Sequence, residues 1–105
     1  MQIQVNTDHN IEGREKLALH VSGVVSHALN HVNDRVTRVE VHLSDQNGAK
    51  AGYADKRCMM EARLDGQRPL AVVHQATTLD RAINGAVGKL KRSIESTLAR
   101  LRQAR

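Results

Sequence analysis

The chain has almost no aromatic residues: of its 105 residues none is Phe or Trp, and Tyr53 is the only Tyr. A core must therefore be built from Val, Leu, Ile, Met and Ala. Proteins that bind single-stranded nucleic acids by stacking bases need exposed aromatic rings. The composition excludes that mode of binding, so any contact with a nucleic acid must depend on charge and shape.

Cysteine, leader signals and long apolar runs are also scarce. Cys58 is the only cysteine, so no intrachain disulfide can form, which suits a reducing compartment such as the cytosol. The N-terminus has no basic segment followed by an apolar run and does not resemble a secretory signal. No stretch approaches the roughly 18 apolar residues that span a membrane. We expect one domain over residues 1–105 and no contact with a membrane.

The last quarter of the chain, from Thr78 to Arg105, carries the strongest pattern. Its apolar residues recur every three or four positions, at Leu79, Ile83, Val87, Leu90, Ile94, Leu98 and Leu101. This period predicts a long amphipathic helix. The other side of the helix holds seven basic residues against two acidic ones, and this surplus equals the net charge of +5 of the whole protein.

The basic side of this helix has two interpretations. Its members are Arg81, Lys89, Lys91, Arg92, Arg100, Arg102 and Arg105. A solvated surface is the simpler interpretation, but such surfaces usually mix both signs and gain support from pairs of opposite charge. Since like charges repel and lower the stability of a helix, a polyanionic partner explains a one-signed side better.

Periodicity in the rest of the chain predicts four strands and one further helix. Strands are expected where apolar and polar residues alternate, at 1–5, 36–43, 57–64 and 69–74. A helical period predicts the other helix at about residues 12–31. The order β-α-β-β-β-α gives an α+β fold of two layers, with two helices on one face of a four-stranded mixed sheet. The first crossover makes the first two strands parallel, and the hairpins are antiparallel.

Three details of this prediction concern single residues. We place Thr37 on the apolar face of the second strand. Cys58 falls on the apolar face of the third strand, where we expect a buried, inert thiol. Thr77 or Thr78 is expected to cap the final helix.

The segment 44–55 is polar, contains glycines and is expected to be a long loop. Its Lys50 and Tyr53 either become ordered against a partner or belong to a plain connection.

Three histidines lie on one side of the first predicted helix: His20, His27 and His31. They can border the core as ordinary polar residues, or contact phosphates as a stripe that binds more strongly when the rings are protonated. His27 and His31 also have the i,i+4 spacing of metal ligands, but no acidic residue or cysteine on that side completes a site. We expect no metal and no cofactor. No catalytic or phosphate-loop motif is present, and we expect no enzymatic activity and no small-molecule substrate.

A resemblance to a known family rests on three short segments: Ala54-Asp55-Lys56-Arg57-Cys58, Asp65-Gly66 and Lys89-Leu90. They resemble the ribosome hibernation-promoting factor and ribosome-associated inhibitor family, once called sigma-54 modulation proteins. The resemblance covers the whole chain in element order and implies a fold related to double-stranded RNA-binding domains. It also implies binding to the small ribosomal subunit and its 16S ribosomal RNA in the decoding region, which silences translation in stationary or stressed cells.

The resemblance further implies which residues contact the RNA, because family members use basic residues of both helices. In the final helix Lys89, Lys91 and Arg92 match this basic cluster, and Lys56 and Arg57 match the basic end of the third strand. Arg81 and Arg100 extend the cluster on similar faces of the helix, and we expect Arg102 to contribute from the neighbouring flank. The first helix is usually rich in lysine, whereas here it offers Lys16 and the three histidines. By this resemblance we expect the chain to correspond to the short form of the family, without the additional dimerisation domain of the long form.

Two other functions remain open. A free-standing RNA- or DNA-binding module would use the same basic helix without a preference for ribosomes. A protein-interaction module would use the uncovered face of the sheet, where Arg38, Glu40, Arg57 and Glu61 mix both signs. Its binding would depend less on salt.

Overall fold

The computed structural model describes residues 1–46 and 55–104. Its elements are β1 (Gln2–Thr7), α1 (Arg14–Ala28), a short 3-10 helix (Asn30–Val32), β2 (Val36–Asp45), β3 (Lys56–Leu64), β4 (Leu70–Ala76) and α2 (Leu79–Gln103). The predicted order β-α-β-β-β-α is confirmed. Most of the predicted loop 44–55, including Lys50 and Tyr53, lies outside the described residues, as does Arg105.

The four strands form one sheet in the order β1-β2-β3-β4. β1 runs parallel to β2, and the β2–β3 and β3–β4 pairs are antiparallel. Both helices pack on the same face, α1 against β1, and α2 against β3 and β4. The predicted two-layer α+β architecture with a mixed sheet is therefore confirmed.

The core between the two layers is aliphatic, as the composition requires. Alternate residues of β2 and β3 point into it, with Val41 opposite Met60 and Leu43 opposite Cys58. The side of α2 that meets them contains both large and small residues: Ala82, Ile83, Ala86, Leu90 and Ile94. Each large aliphatic side chain buried in this way stabilises the fold by about 1.5–3 kcal/mol.

α2 packs tightly against β4 at Gly85. A methyl group at this position would lie 2.1 Å from Cδ2 and 2.5 Å from Cγ of His74. The imidazole ring of His74 therefore occupies the space in which a side chain at Gly85 would sit. This contact fixes how closely the helix can approach the edge of the sheet.

Each helix begins at a residue with a clear local cause. Thr78 accepts a hydrogen bond from the backbone N–H of Arg81 at 3.2 Å, which confirms it as the cap of α2. Gly13 has a φ of 68°, in the left-handed region that favours glycine, so α1 begins at Arg14 rather than near residue 12. At its other end α1 stops at Ala28, earlier than predicted, and a 3-10 turn follows.

The prediction that Thr37 lies on the apolar face is wrong. The register between β2 and β3 shifts between Val36 and Arg38, so one extra residue is accommodated in β2. Val36 is buried opposite Leu64, whereas Thr37 is exposed and its hydroxyl donates to the carbonyl oxygen of Arg63 at 3.0 Å. The alternation on which the prediction depended restarts only after this bulge.

Cys58 should be alkylated only when the protein unfolds. The residue has no exposed surface, and its burial raises the pKa of the thiol from 9.0 to about 12. Near pH 8 the reactive thiolate is therefore roughly a thousand times less abundant than in the unfolded chain. Mass spectrometry of iodoacetamide adducts, with and without urea, checks this expectation. Equal labelling rates in the two conditions would contradict it.

Candidate nucleic-acid interface

The basic residues of α2 lie on its exposed surface. All six described members are exposed, namely Arg81, Lys89, Lys91, Arg92, Arg100 and Arg102. The buried residues of the helix, among them Ile83 and Leu90, occupy the opposite side. The structure therefore brings six of the predicted site residues together on one element.

Two of these residues lie on the flank of α2 that faces β4. The ammonium group of Lys89 donates to the carbonyl oxygen of Val73 at 2.8 Å. Arg100 lies about three turns further on, on the same flank, and its guanidinium donates to the hydroxyl of Thr97 at 3.2 Å. Both side chains already have a partner in the protein.

The opposite flank of α2 faces α1, and it carries both acidic residues of the helix. Asp80 Oδ1 lies 3.8 Å from His20 Nε2, and Glu95 Oε2 lies 2.8 Å from His31 Nε2. The first pair joins the start of α2 to α1, and the second joins the second half of α2 to the 3-10 helix. Each acidic side chain of α2 therefore faces a histidine across the groove.

Lys91 and Arg102 follow the same helical rows as these acidic residues and border the groove between the helices. Lys16 and His27 are exposed on α1, on the other side of this groove. In the described part of the chain, neither makes an ion pair or a side-chain hydrogen bond. The groove therefore has basic residues on both sides.

The histidines do not form a metal site in the part of the chain that the structure describes. No group of three His, Cys, Asp or Glu residues there could hold a metal ion. The i,i+4 spacing of His27 and His31 does not place both rings on one helical face, because α1 ends at Ala28 and His31 belongs to the 3-10 helix.

Lys56 is less available to an RNA phosphate than the basic residues of α2, because its charge is already balanced within the protein. Its ammonium group is 3.1 Å from Oδ1 of Asp55 and 3.2 Å from Oδ1 of Asp45. The hydrogen bond with Asp55 raises the pKa of Lys56, and Asp45 acts in the same direction. Two buried carboxylates around one ammonium leave this corner with a net negative charge.

Arg57 points to the uncovered face of the sheet, where it is flanked by Ser44 and Gln75 in the neighbouring strands. The other charges of that face are paired with one another: Arg38 with Glu40 at 2.6 Å and Arg63 with Glu61 at 3.8 Å. The structure therefore places Arg57 on the other face of the sheet from the helical site residues, whereas Lys56 lies on the helix-covered side, opposite Ala76, with its charge already paired. A rigid surface that contacts α2 cannot reach Arg57 at the same time.

One basic residue near α2 was not predicted as a site residue from the sequence. Arg35 is exposed in the turn between the 3-10 helix and β2, and with Arg102 it lines a cleft of about 570 Å³. Periodicity cannot identify such a residue, because it belongs to no helix or strand. An isolated arginine after an Asn-Asp turn signal carries no distinctive pattern.

A two-layer α+β domain whose helical layer presents a predominantly basic surface defines a class of protein that can bind polyanions through charge and shape. The chain belongs to one particular family of that class. Residues 3–102 match the family described as Sigma 54 modulation protein / S30EA ribosomal protein. No curated protein sequence matches the chain.

Two solved structures are similar to this chain. The N-terminal domain of Protein Y from Thermus thermophilus has a TM-score of 0.71 at 18% identity, covering 92% of this chain and 99% of that one. A ribosomal subunit interface protein from Coxiella burnetii has a TM-score of 0.72 at 11% identity, covering 94% and 99%. At these identities the likeness establishes the fold.

The length of α2 does not make it a membrane segment. None of the helices in residues 1–46 and 55–104 is both long and apolar enough to cross a bilayer.

Proposed function

We propose that this protein binds the small ribosomal subunit through its 16S ribosomal RNA in the decoding region and thereby silences translation, as a ribosome hibernation factor. The observation that carries the proposal is the exposed surface of α2, on which six described basic residues outnumber two acidic ones, in a chain of this family. The likeness to a ribosomal subunit interface protein supports the same partner. The protein would act in the cytoplasm, where its partner is found.

The proposed contact is made mainly with phosphates. α2 has 25 residues and is about 37 Å long, which allows it to follow several consecutive phosphates of an RNA groove. Arg81 and Arg92 project from the middle of its exposed side, and Lys91 and Arg102 border the groove towards α1. Phosphate contacts position a protein on RNA without reading the base sequence of the RNA. Occupancy of the site, rather than base recognition, would therefore exclude the ligands of translation.

The remaining predicted residues have smaller parts in this proposal. Lys89 and Arg100 can contribute if RNA replaces their partners in the protein. Lys16, His20, His27 and His31 extend the surface across the groove. Arg57 lies on the opposite face of the sheet and the charge of Lys56 is balanced by Asp45 and Asp55, so we propose no contact between them and the same RNA surface.

Co-sedimentation with purified small subunits over a salt series tests the proposal. If about four to six phosphates are neutralised, the logarithm of the association constant should fall by roughly 3 to 5 for each unit of log salt. Whole ribosomes already programmed with messenger RNA and initiator transfer RNA should bind less protein than vacant ones. Absence of binding to vacant subunits at low salt would overturn the proposal.

A competition experiment separates this proposal from a general nucleic-acid-binding module. An unrelated RNA duplex, added in excess by mass, should leave most of the protein on the small subunits. If the duplex removes the protein in proportion to its phosphate content, the module lacks a preference for ribosomes. Binding that is insensitive to salt would instead favour a protein partner on the uncovered face of the sheet.

A further inference from the structure

A cleft opens where the 3-10 helix and the turn after it meet the last turns of α2. Its volume is about 570 Å³, within the range of small-ligand sites, and its walls come from two segments that are distant in the sequence. It is lined by His31, Val32, Asp34, Arg35, Glu95, Leu98 and Arg102. Five of these seven residues carry an ionisable side chain.

The two arginines of the cleft are available to an anion. Arg35 and Arg102 are exposed, and neither guanidinium makes an ion pair or hydrogen bond within the described residues. They belong to different segments, the turn before β2 and the end of α2. A planar guanidinium donates two parallel hydrogen bonds to a phosphate and can also lie flat against a base.

The acidic residues of the cleft differ from each other. Glu95 is already paired with His31, with 2.8 Å between Oε2 and Nε2. Asp34 is exposed, and its carboxylate has no side-chain partner among the described residues. Val32, which is buried, and Leu98, which is partly buried, supply an apolar floor between the charged groups.

We infer that this cleft binds a single unstacked nucleotide of RNA and prefers guanine. The apolar floor accommodates the face of the base, and the two arginines meet the flanking phosphates. The Asp34 carboxylate, which only accepts hydrogen bonds, meets the Watson–Crick edge of the base. Guanine presents two adjacent N–H donors on that edge, N1–H and N2–H, which match the two oxygens of a carboxylate.

This site differs from the surface of α2 in what it recognises. The basic helix contacts phosphates of any sequence, whereas the cleft offers acceptors that discriminate between bases. The inference rests on the proposed function only in assuming that the partner is RNA. It gives a molecule that lacks aromatic stacking residues a means of selecting one position of that RNA.

RNA hairpins that differ only in one bulged nucleotide test the inference. The full chain should bind the hairpin with a bulged G roughly tenfold more tightly than those with A, C or U, the discrimination expected for one well-formed pair of hydrogen bonds. Asp34→Asn should remove this preference, because an amide presents one acceptor and one donor, while affinity for the U-bulged hairpin changes by less than about twofold. The control Glu12→Gln, also exposed but at the other end of α1, should keep the preference.

The arginines are tested with the same RNAs. Arg35→Gln should weaken binding of every bulged hairpin severalfold and leave the affinity for a fully paired duplex unchanged. The control Arg14→Gln should change the affinity for bulged and fully paired RNA by the same factor. Equal affinity of the wild type for all four bulges, or a guanine preference that survives Asp34→Asn, would overturn the inference. Ribosome binding without discrimination among bulges would refute the cleft and leave the proposed function standing. Guanine preference without ribosome binding would refute the proposed function and leave the inference about the cleft standing.

Discussion

Gly85→Ala should destabilise the protein by about 2 kcal/mol, although alanine is the better helix former by about 1 kcal/mol. The new methyl group would lie 2.1 Å from the ring of His74, with three ring atoms within 2.5 Å. Neither the ring nor the backbone of β4 can absorb such an overlap by a small adjustment. The ring must leave its place, or α2 must move away from the sheet and lose packing against the core. Urea unfolding followed by circular dichroism measures the change.

Gly88→Ala is the matched control, one turn further along the same helix. Its methyl group would meet only the end of the Arg92 side chain, at 3.4 Å, so the substitution should stabilise the protein by up to about 1 kcal/mol. In a His74→Ala background, adding Gly85→Ala should cost much less stability than it does in the wild type, because the overlapping ring is gone. If Gly85→Ala is as stable as Gly88→Ala, the close approach at His74 is not a constraint.

The triple variant Arg81/Lys91/Arg92→Gln should lose most of its affinity for small ribosomal subunits. Each lost phosphate contact lowers the salt dependence by about one unit, so the slope of log affinity against log salt should become shallower by roughly 2 to 3. These residues lie outside the cleft lined by Arg35 and Arg102, so the result is independent of the inference about guanine. Glutamine is a good helix former, and the fold should be retained. Co-sedimentation over the same salt series provides the measurement.

The matched control removes the same amount of charge from elsewhere. Arg57/Arg63/Arg68→Gln lowers the net charge equally, on β3 and the turn after it, and should leave the salt slope unchanged. Distant charges are screened beyond about 10 Å in ordinary buffers, so only contacts change the slope. Equal losses in both variants would mean that net charge, rather than the surface of α2, determines binding.

The order of elements could be predicted because each of the longer elements carries its own periodic signal. In α2 the recurrence from Leu79 to Leu101 defined both the buried side and the basic side, and the structure places both as expected. Thr37 was misplaced because a bulge depends on the register between two strands, which neither strand contains by itself. The left-handed conformation of Gly13 likewise sets a helix boundary that the apolar period alone could not locate.

The site was less predictable because its contacts connect distant parts of the chain. The period of α1 indicated that its histidines share a side, but the contact of His31 with Glu95, 64 positions away, depends on how the two helices pack. The family resemblance placed Lys56 among the RNA contacts, but its pairing with Asp45 depends on the register between β2 and β3, which the sequence does not show. Neither Asp34 nor Arg35 could be predicted as a site residue, because the sequence does not show that their turn lies beside α2.

The bond from Lys89 to the carbonyl oxygen of Val73 also bears on solubility. β4 is an outermost strand of the sheet, and its sequence Leu-Ala-Val-Val from residue 70 is rich in residues that favour intermolecular strand pairing. Lysine at such an edge discourages the addition of a foreign strand by occupying an acceptor and by placing a charge beside it. A partner that draws Lys89 away would uncover this edge. The same residue therefore couples the occupancy of the basic surface to protection of the protein from aggregation.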